Sequence, residues 1–303
     1  MKKKVLITGS NGLLGQKLVY ALKQREDVEV LATARGENRL VDQIGYQYIS
    51  LDISNQQEVE EVFAQYQPQI VMHCAAMTNV DICESKREEC WNINVQSVDY
   101  LCNAAEKVKA HFIHVSTDFI FDGKSGPYKE DAIANPVSYY GESKLAAEKI
   151  VEKYQGSWAI LRTVLVYGLV DNMSRSNIVL WAKGELEKGK SIDVVNDQFR
   201  TPTLAEDLAK GCILAMEKKA QGIYNISGKD YMSIIELVNK VADYYHLDKS
   251  LIKPISSESL KQPAKRPPVT GFILDKAIKD LGYTPHSFEE GIAILEQQMK
   301  ASR

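Results

Sequence analysis

Val5-Leu6-Ile7-Thr8-Gly9-Ser10-Asn11-Gly12-Leu13-Leu14-Gly15 is a short apolar run that stops at a glycine-rich turn and passes at once into a helical pattern, Leu13–Arg25. Glycine at position 9 allows the tight turn, and glycine at 12 lets the backbone approach a pyrophosphate. Glycine at 15 lets helix and strand pack closely. The free N–H groups of the helix start would then face the diphosphate, where the helix dipole favours negative charge. Ser10, Asn11, Leu13 and Leu14 share the loop and its candidate role. Such a loop carries weight only at the first strand of a βαβ unit, so the surrounding chain decides its meaning.

The surroundings agree. Val28–Ala32, Tyr46–Leu51, Ile70–His73 and Phe112–Val115 read as further strands, bounded by Gly, Asp, Asn or Pro. Between them lie helical patterns at Gln56–Tyr66, Glu88–Lys107 and Tyr139–Tyr154. This alternation predicts an α/β fold, a Rossmann-type doubly wound parallel sheet with helices on both faces. After a strand at Trp158–Leu161 the rhythm loosens. Helices near Ser174–Lys188, Leu204–Lys218, Ile234–Tyr245 and Glu289–Lys300 alternate with short strands at Ile192–Val195 and Ile223–Ile226, and Pro254–Pro268 reads as an ordered surface loop. The expected organisation is a dinucleotide-binding domain over 1–165 and a smaller, mostly helical substrate lobe over 166–303, with the chain free to cross between them.

Composition narrows the function. The chain has 303 residues, 45% hydrophobic and 25% charged, enough for one large α/β body or two lobes and unlike a disordered or fibrous chain. Lys+Arg 37 against Asp+Glu 40 leaves −3, too balanced for a protein that relies on nucleic-acid phosphates. No apolar run approaches the roughly 20 residues of a membrane helix. The basic start Met1–Lys4 is followed by too short an apolar run for a secretory leader. Cys74, Cys83, Cys90, Cys102 and Cys212 lack metal-binding or C-x-x-C spacing and read as reduced packing thiols of a cytoplasmic protein. His111 and His114, three apart on a strand, point to opposite faces and cannot chelate one ion. No metal site is expected.

Two further stretches carry chemistry. The second strand ends Ala32-Thr33-Ala34-Arg35, without the carboxylate that would hold an NAD ribose 2′-hydroxyl. A guanidinium there suits a 2′-phosphate through paired charge-assisted hydrogen bonds, which favours NADP, with NAD as the weaker alternative. Tyr140-Gly141-Glu142-Ser143-Lys144 puts a phenol and an ammonium one helical turn apart on one face. A nearby cation is expected to draw the phenol pKa from near 10 towards a useful range. Ser116-Thr117-Asp118 stands at the carboxyl end of the fifth strand, where parallel sheets bind ligands.

The G-x-x-G-x-x-G loop with Tyr140-x-x-x-Lys144 resembles the extended branch of the short-chain dehydrogenase/reductase superfamily. The resemblance implies that Tyr140 gives a proton to the substrate oxygen, Lys144 holds the nicotinamide ribose and tunes Tyr140, and Thr117 positions a carbonyl. Asn94 matches the residue that supports the lysine through water. Asp52 matches an adenine-contacting Asp, next to Ile53, and Cys74-Ala75-Ala76 the small segment beneath the cofactor. Thr78, Val115 and Ser116 join the expected cofactor contacts. Thr117-Asp118-Phe119 lacks the Thr-Asp-Glu of nucleotide-sugar 4,6-dehydratases.

Over nearly its whole length the chain most resembles the dTDP-4-dehydrorhamnose reductase family, through Ala75–Asp81, Val115–Gly123, Asn196-Asp197-Gln198-Phe199 and Lys265-Arg266-Pro267. That implies NADPH-dependent reduction of the 4-keto group of a nucleotide-linked deoxy sugar. The implied sugar-nucleotide contacts are Val80, Asp81, Thr117, Asp118, Leu165, Asp197, Gln198, Arg200 and Arg266. Two departures bear on substrate choice. Leu165 stands where these reductases often have Trp, and Arg200 where they have a small residue, which adds a guanidinium beside the sugar diphosphate. The chain is also similar to the regulatory β subunit of methionine adenosyltransferase, which implies a non-catalytic alternative; a nucleotide-sugar epimerase is a third reading. A homodimer is compatible with the resemblance, and neither nucleic acid nor membrane is an expected partner.

Overall fold

The computed structural model describes residues 2–172 and 176–301. In chain order the first half runs β1 (Lys3–Thr8), α1 (Leu13–Leu22), β2 (Val28–Ala34), β3 (Gln47–Ser50), α2 (Gln56–Tyr66), β4 (Ile70–His73), α3 (Val80–Ser85), α4 (Arg87–Trp91), a π-helical turn (Asn92–Gln96), α5 (Ser97–Lys107), β5 (His111–Thr117), α6 (Tyr139–Val151) and β6 (Trp158–Thr163). The second half runs β7 (Val166–Tyr167), α7 (Ile178–Glu187), β8 (Ile192–Val195), β9 (Phe199–Arg200), β10 (Thr203–Leu204), α8 (Ala205–Glu217), β11 (Gly222–Asn225), β12 (Met232–Ser233), α9 (Ile234–Tyr244), β13 (Ile252–Ile255), α10 (Asp275–Leu281) and α11 (Phe288–Ala301).

Seven strands form one sheet in the order β11-β6-β5-β4-β1-β2-β3, and every pairing in it is parallel. The fold is therefore Rossmann-like, as the alternating sequence pattern implies. Strand order reverses between β1 and β4, and in open α/β sheets the crevice beyond the strand ends at such a point receives ligands. Burial on both faces explains why the strands are nearly continuous apolar runs. Val5, Ile7, Val30, Met72 and Ile113 pack into a core shared with α1 and α8, while Leu6, Leu31, Val71 and Phe112 pack with α2, α5 and α6 on the other face. A third core gathers Val179, Leu186, Val194, Leu237, Val241 and Leu295. The chain crosses back after β10: α8 packs in the first core and β11 pairs with β6.

Caps set helix starts at several points. Asn55 accepts from the amides of Gln57 and Glu58 to open α2, and Ser138 accepts from Gly141 N to open α6, which fixes Tyr140 in the first turn of that helix. Three sequence expectations need correction. The single helix expected over Glu88–Lys107 is α4 and α5 separated by the π turn, which inserts one extra residue into the hydrogen-bond ladder. The helix expected from Ser174 begins at Ile178 behind the Asn177 cap, and Ser174 lies outside the described residues. The expected loop Pro254–Pro268 contains the end of β13 and a 3₁₀ turn, Ser257–Leu260.

Candidate active site

The glycine loop behaves as its spacing demands. Gly9 has φ +70°, and a Cβ there would lie 2.8 Å from the Ala75 backbone. A Cβ on Gly15 would lie 2.2 Å from Gly9 O, so strand and helix could not approach. A Cβ on Gly12 would meet only Gly9 O, at 3.2 Å, which leaves the mouth of the loop open. No side chain caps α1, so its first N–H groups stay available to an anion. Ser10 Oγ and Ser116 Oγ, on either side of β4, are buried without a hydrogen-bond partner among the described residues. Buried hydroxyls of this kind ask for a polar ligand, and with the open glycine mouth the residues present fit a dinucleotide. Asn11 turns outward: its side chain donates to Glu37 O and accepts from Arg39 N, at 2.8 and 2.9 Å, and so shapes the loop after β2.

At the carboxyl end of β2 the Arg35 side chain is 66% exposed, with Nη1 3.9 Å from Asp52 Oδ2. Asp52 in turn accepts from Ser54 N and Oγ, while Ile53 is buried in the core. Arg39, which the sequence reading passed over, stands exposed on the same loop. Cys74, Ala75 and Ala76 are half-buried after β4 and Thr78 is exposed. Cys74 N and Ala75 N both donate to Thr8 Oγ1, tying that segment to β1.

Thr117, Tyr140 and Lys144 come together where β5 meets α6. Thr117 Oγ1 accepts from Phe119 N and donates to Asp118 Oδ1 at 3.1 Å, close to the Tyr140 phenol. The Phe119 ring meets Tyr140 edge-on at 5.7 Å. Lys144 Nζ donates to Val115 O at 2.8 Å and lies 3.1 Å from His114 Nε2. Burial lowers its pKa to about 8. The expected influence of Lys144 on Tyr140 is not what dominates. Burial raises the phenol above its ordinary range, the neighbouring Thr117 hydroxyl opposes that, and the Asp118 charge adds to the rise.

Asn94 is fully enclosed in the π turn. Its Oδ1 accepts from Met77 N at 2.7 Å, and its Nδ2 reaches Met77 O and Ser143 Oγ at 3.1 Å. Ser143 donates to Tyr140 O at 2.7 Å. Asn94 thus braces the loop after β4 against α6. Ser143 was missed by the sequence reading, although its place between Tyr140 and Lys144 on one helix was a usable signal.

On the opposite wall, the expected substrate contacts are largely paired with one another. Arg200, 3% exposed, donates to Phe199 O, Pro267 O and Pro268 O at 2.7–3.1 Å, and its Nε lies 3.7 Å from Asp118 Oδ2. The guanidinium expected beside the sugar diphosphate is therefore turned inward, claimed by carbonyls that ring it. Asp118 also accepts from Thr270 Oγ1; burial raises its pKa while Arg200 and the hydroxyls oppose that. Gln198 is buried beside Arg200. Asp197 Oδ2 accepts from Ser257 N and Oγ, both at 2.9 Å. Arg266 forms a two-pronged pair with Asp81, at 2.8 and 3.1 Å. Val80 packs partly buried near Tyr140. Leu165, half-buried between β6 and β7, has φ +39°, a strained setting for a residue with a Cβ.

Among the described residues no three His, Cys, Asp or Glu side chains gather as a metal cluster would require, and no helix is long and apolar enough to cross a membrane. His111 and His114 serve separate partners, Ala220 O and Lys144.

Comparison with known proteins bears on the family and the fold. The profile of the family described as RmlD substrate binding domain matches residues 2–300. Methionine adenosyltransferase 2 subunit beta of Xenopus laevis is 33% identical over 261 residues, covering 84% of this chain and 76% of that protein. The spore coat polysaccharide biosynthesis protein SpsK of Bacillus subtilis (strain 168) is 30% identical over 290 residues, 95% of each. Among solved structures, a dTDP-4-dehydrorhamnose reductase from Bacillus anthracis str. Ames in complex with NADP superposes with TM-score 0.84 at 28% identity, covering 98% of this chain and all of the other. A dTDP-4-dehydrorhamnose reductase from Clostridium acetobutylicum ATCC 824 gives 0.85 at 27%, covering 98% and 99%.

Proposed function

Because the chain belongs to the RmlD substrate-binding-domain family, we propose that it is an NADPH-dependent reductase of the 4-keto group of a nucleotide-linked deoxy sugar. The carrying observation is the Thr117–Tyr140–Lys144 cluster at the carboxyl end of β5, beside a glycine cradle and two unpartnered buried hydroxyls. Bound NADPH would supply the hydride. Arg35 would take the 2′-phosphate, since β2 ends without a carboxylate. Thr117 would orient the carbonyl oxygen and Tyr140 would give it a proton. A phenol held above its ordinary range is protonated at neutral pH, the form a donor needs in the reductive direction. The Lys144 charge then favours the phenolate as it forms.

On this reading residues 1–165 bind the cofactor and 166–303 frame the sugar, with α8 and β11 rejoining the first part, in a cytoplasmic enzyme. The deciding assay is kcat/KM with NADPH across a panel of 4-keto nucleotide sugars differing in sugar and base. Leu165 in place of the family Trp removes a stacking surface worth about 0.5–1.5 kcal/mol. A sugar other than the rhamnose precursor should therefore be preferred.

A second reading is favoured by the 33% identity to methionine adenosyltransferase 2 subunit beta: a subunit that binds NADP and partners that enzyme without turnover. Tight NADPH binding with no turnover of any panel member, together with co-elution with a methionine adenosyltransferase, would establish it in place of the reductase.

A further inference from the structure

A row of polar side chains crosses three strands beneath the candidate site. Thr8 is the register partner of His73, and His73 of His114, across β1, β4 and β5. All three are sealed from solvent. Thr8 Oγ1 already accepts from Cys74 N and Ala75 N, so its own proton goes to His73 Nδ1, 2.7 Å away. The His73 and His114 rings stack with centroids 5.2 Å apart. At the end of the row Lys144 Nζ lies 3.1 Å from His114 Nε2. An ammonium can only donate, so His114 Nε2 accepts and the ring proton sits on Nδ1, an atom with no hydrogen-bond partner among the described residues.

We propose that His114 is a positioning residue for Lys144: a neutral imidazole, fixed as the Nδ1–H tautomer, that anchors the lysine ammonium and keeps it charged at the end of this row. The proposal rests on the reading of Lys144 as a catalytic lysine. Lysine is a point charge on a flexible stem, and Val115 O alone would fix its head by one contact. A second acceptor from the same strand, His114 Nε2, reduces that freedom.

The surroundings explain why an imidazole can serve. Burial first, and the Lys144 charge second, hold His114 and His73 far below the ordinary histidine range, so neither becomes a cation that would repel the lysine. The other titratable groups facing Lys144 are Glu148 on its own helix, Cys74 after β4 and Cys90 on α4. Glu148 is engaged in a two-pronged pair with Arg162 of β6, at 3.0 and 2.7 Å. Among these side chains His114 is the one placed to accept a hydrogen bond from the ammonium.

Two measurements on the full chain test this. Long-range ¹H–¹⁵N NMR of the wild type should show His114 protonated on Nδ1 and bare on Nε2 through the neutral range; an Nε2–H ring overturns the proposal. A ¹³Cε-lysine titration, with Lys144→Arg assigning the resonance, should then show His114→Leu lowering the pH at which Lys144 loses its proton. A lost hydrogen bond to a charged group corresponds to about one pH unit. The alkaline limb of kcat/KM should move down with it. His114→Gln, whose carbonyl oxygen can take the place of Nε2, should restore most of the shift, a rescue that a merely space-filling role would not produce. A folded His114→Leu protein with an unchanged Lys144 titration sinks the idea. If the Leu variant does not fold, the wild-type tautomer and the Gln variant decide. Both NMR readouts are independent of turnover, so an absence of any sugar substrate would defeat the proposed reaction and leave this inference standing.

Discussion

The two walls of the cleft are made in different ways. The wall of the glycine loop is built from backbone: Gly9, Gly12 and Gly15 matter for the Cβ they lack, and two of the three have no room for one. The opposite wall is built from side-chain charges, Asp118 with Arg200 and Asp81 with Arg266, the second pair joined across 185 residues. A backbone wall is written in a local spacing and tolerates almost no added atom. A side-chain wall is written in distant pairs, and it fails when one partner is removed and a charge is left behind.

The largest effect should fall on the charged wall. Arg200→Met leaves the Asp118 carboxylate buried without its counter-charge, and a broken buried pair costs about 3–5 kcal/mol. Denaturant unfolding should show that loss, and the Asp118→Asn/Arg200→Met double variant should recover most of it. A cost below about 1 kcal/mol for the single change would mean that neither the charge pair nor the hydrogen bonds from Arg200 to the carbonyls hold this wall. Where the walls meet, Tyr140→Phe removes the proposed proton donor, and kcat should fall by at least about 100-fold, in the range of general acid–base catalysis, with NADPH affinity nearly unchanged.

The glycine wall is sharpened next. Arg35→Ala should weaken NADPH by about 1.5–3 kcal/mol, as expected for hydrogen bonds between charged groups, and leave NADH alone. Equal affinity of the wild type for both cofactors would be incompatible with the role given to Arg35. The smallest effect belongs to Arg266→Ala. Its pair with Asp81 is partly open to solvent, so thermal unfolding should change by no more than about 0.2–1 kcal/mol. A larger change would put this pair in the same class as Arg200 and blur the distinction between buried and exposed members of that wall.

The same contrast explains what could be read from the residues. β4 spans Ile70–His73 as expected, and the roles of Gly9 and Gly15 follow from spacing because glycine answers a local steric demand. Thr117 and Tyr140 were likewise within reach, since a strand end and a helix start are both marked locally. The orientation of Lys144 was not. Helical spacing sets it on the face of Tyr140 but says nothing of His114, thirty residues earlier, which takes its head. Arg200 was placed near the sugar for a similar reason: sequence position brings it to the cleft, while the carbonyls of Pro267 and Pro268 that turn it inward belong to a distant loop. The break in the helix over 88–107 was hidden too, because the residues of the π turn, Asn-Ile-Asn-Val-Gln, contain no Pro or Gly to announce it.

That turn sets a price on regularity. Removing one residue from 92–96 would let α4 run into α5 as a single uninterrupted helix with every rung of its ladder restored. It would also remove the wide turn that carries Asn94, and take Asn94 from its contacts with Met77 and Ser143. Selection for stability alone would therefore erase the irregularity, and an engineer smoothing this helix would raise its melting temperature while losing the brace behind Tyr140. A chain that keeps its one-residue offset keeps its aim.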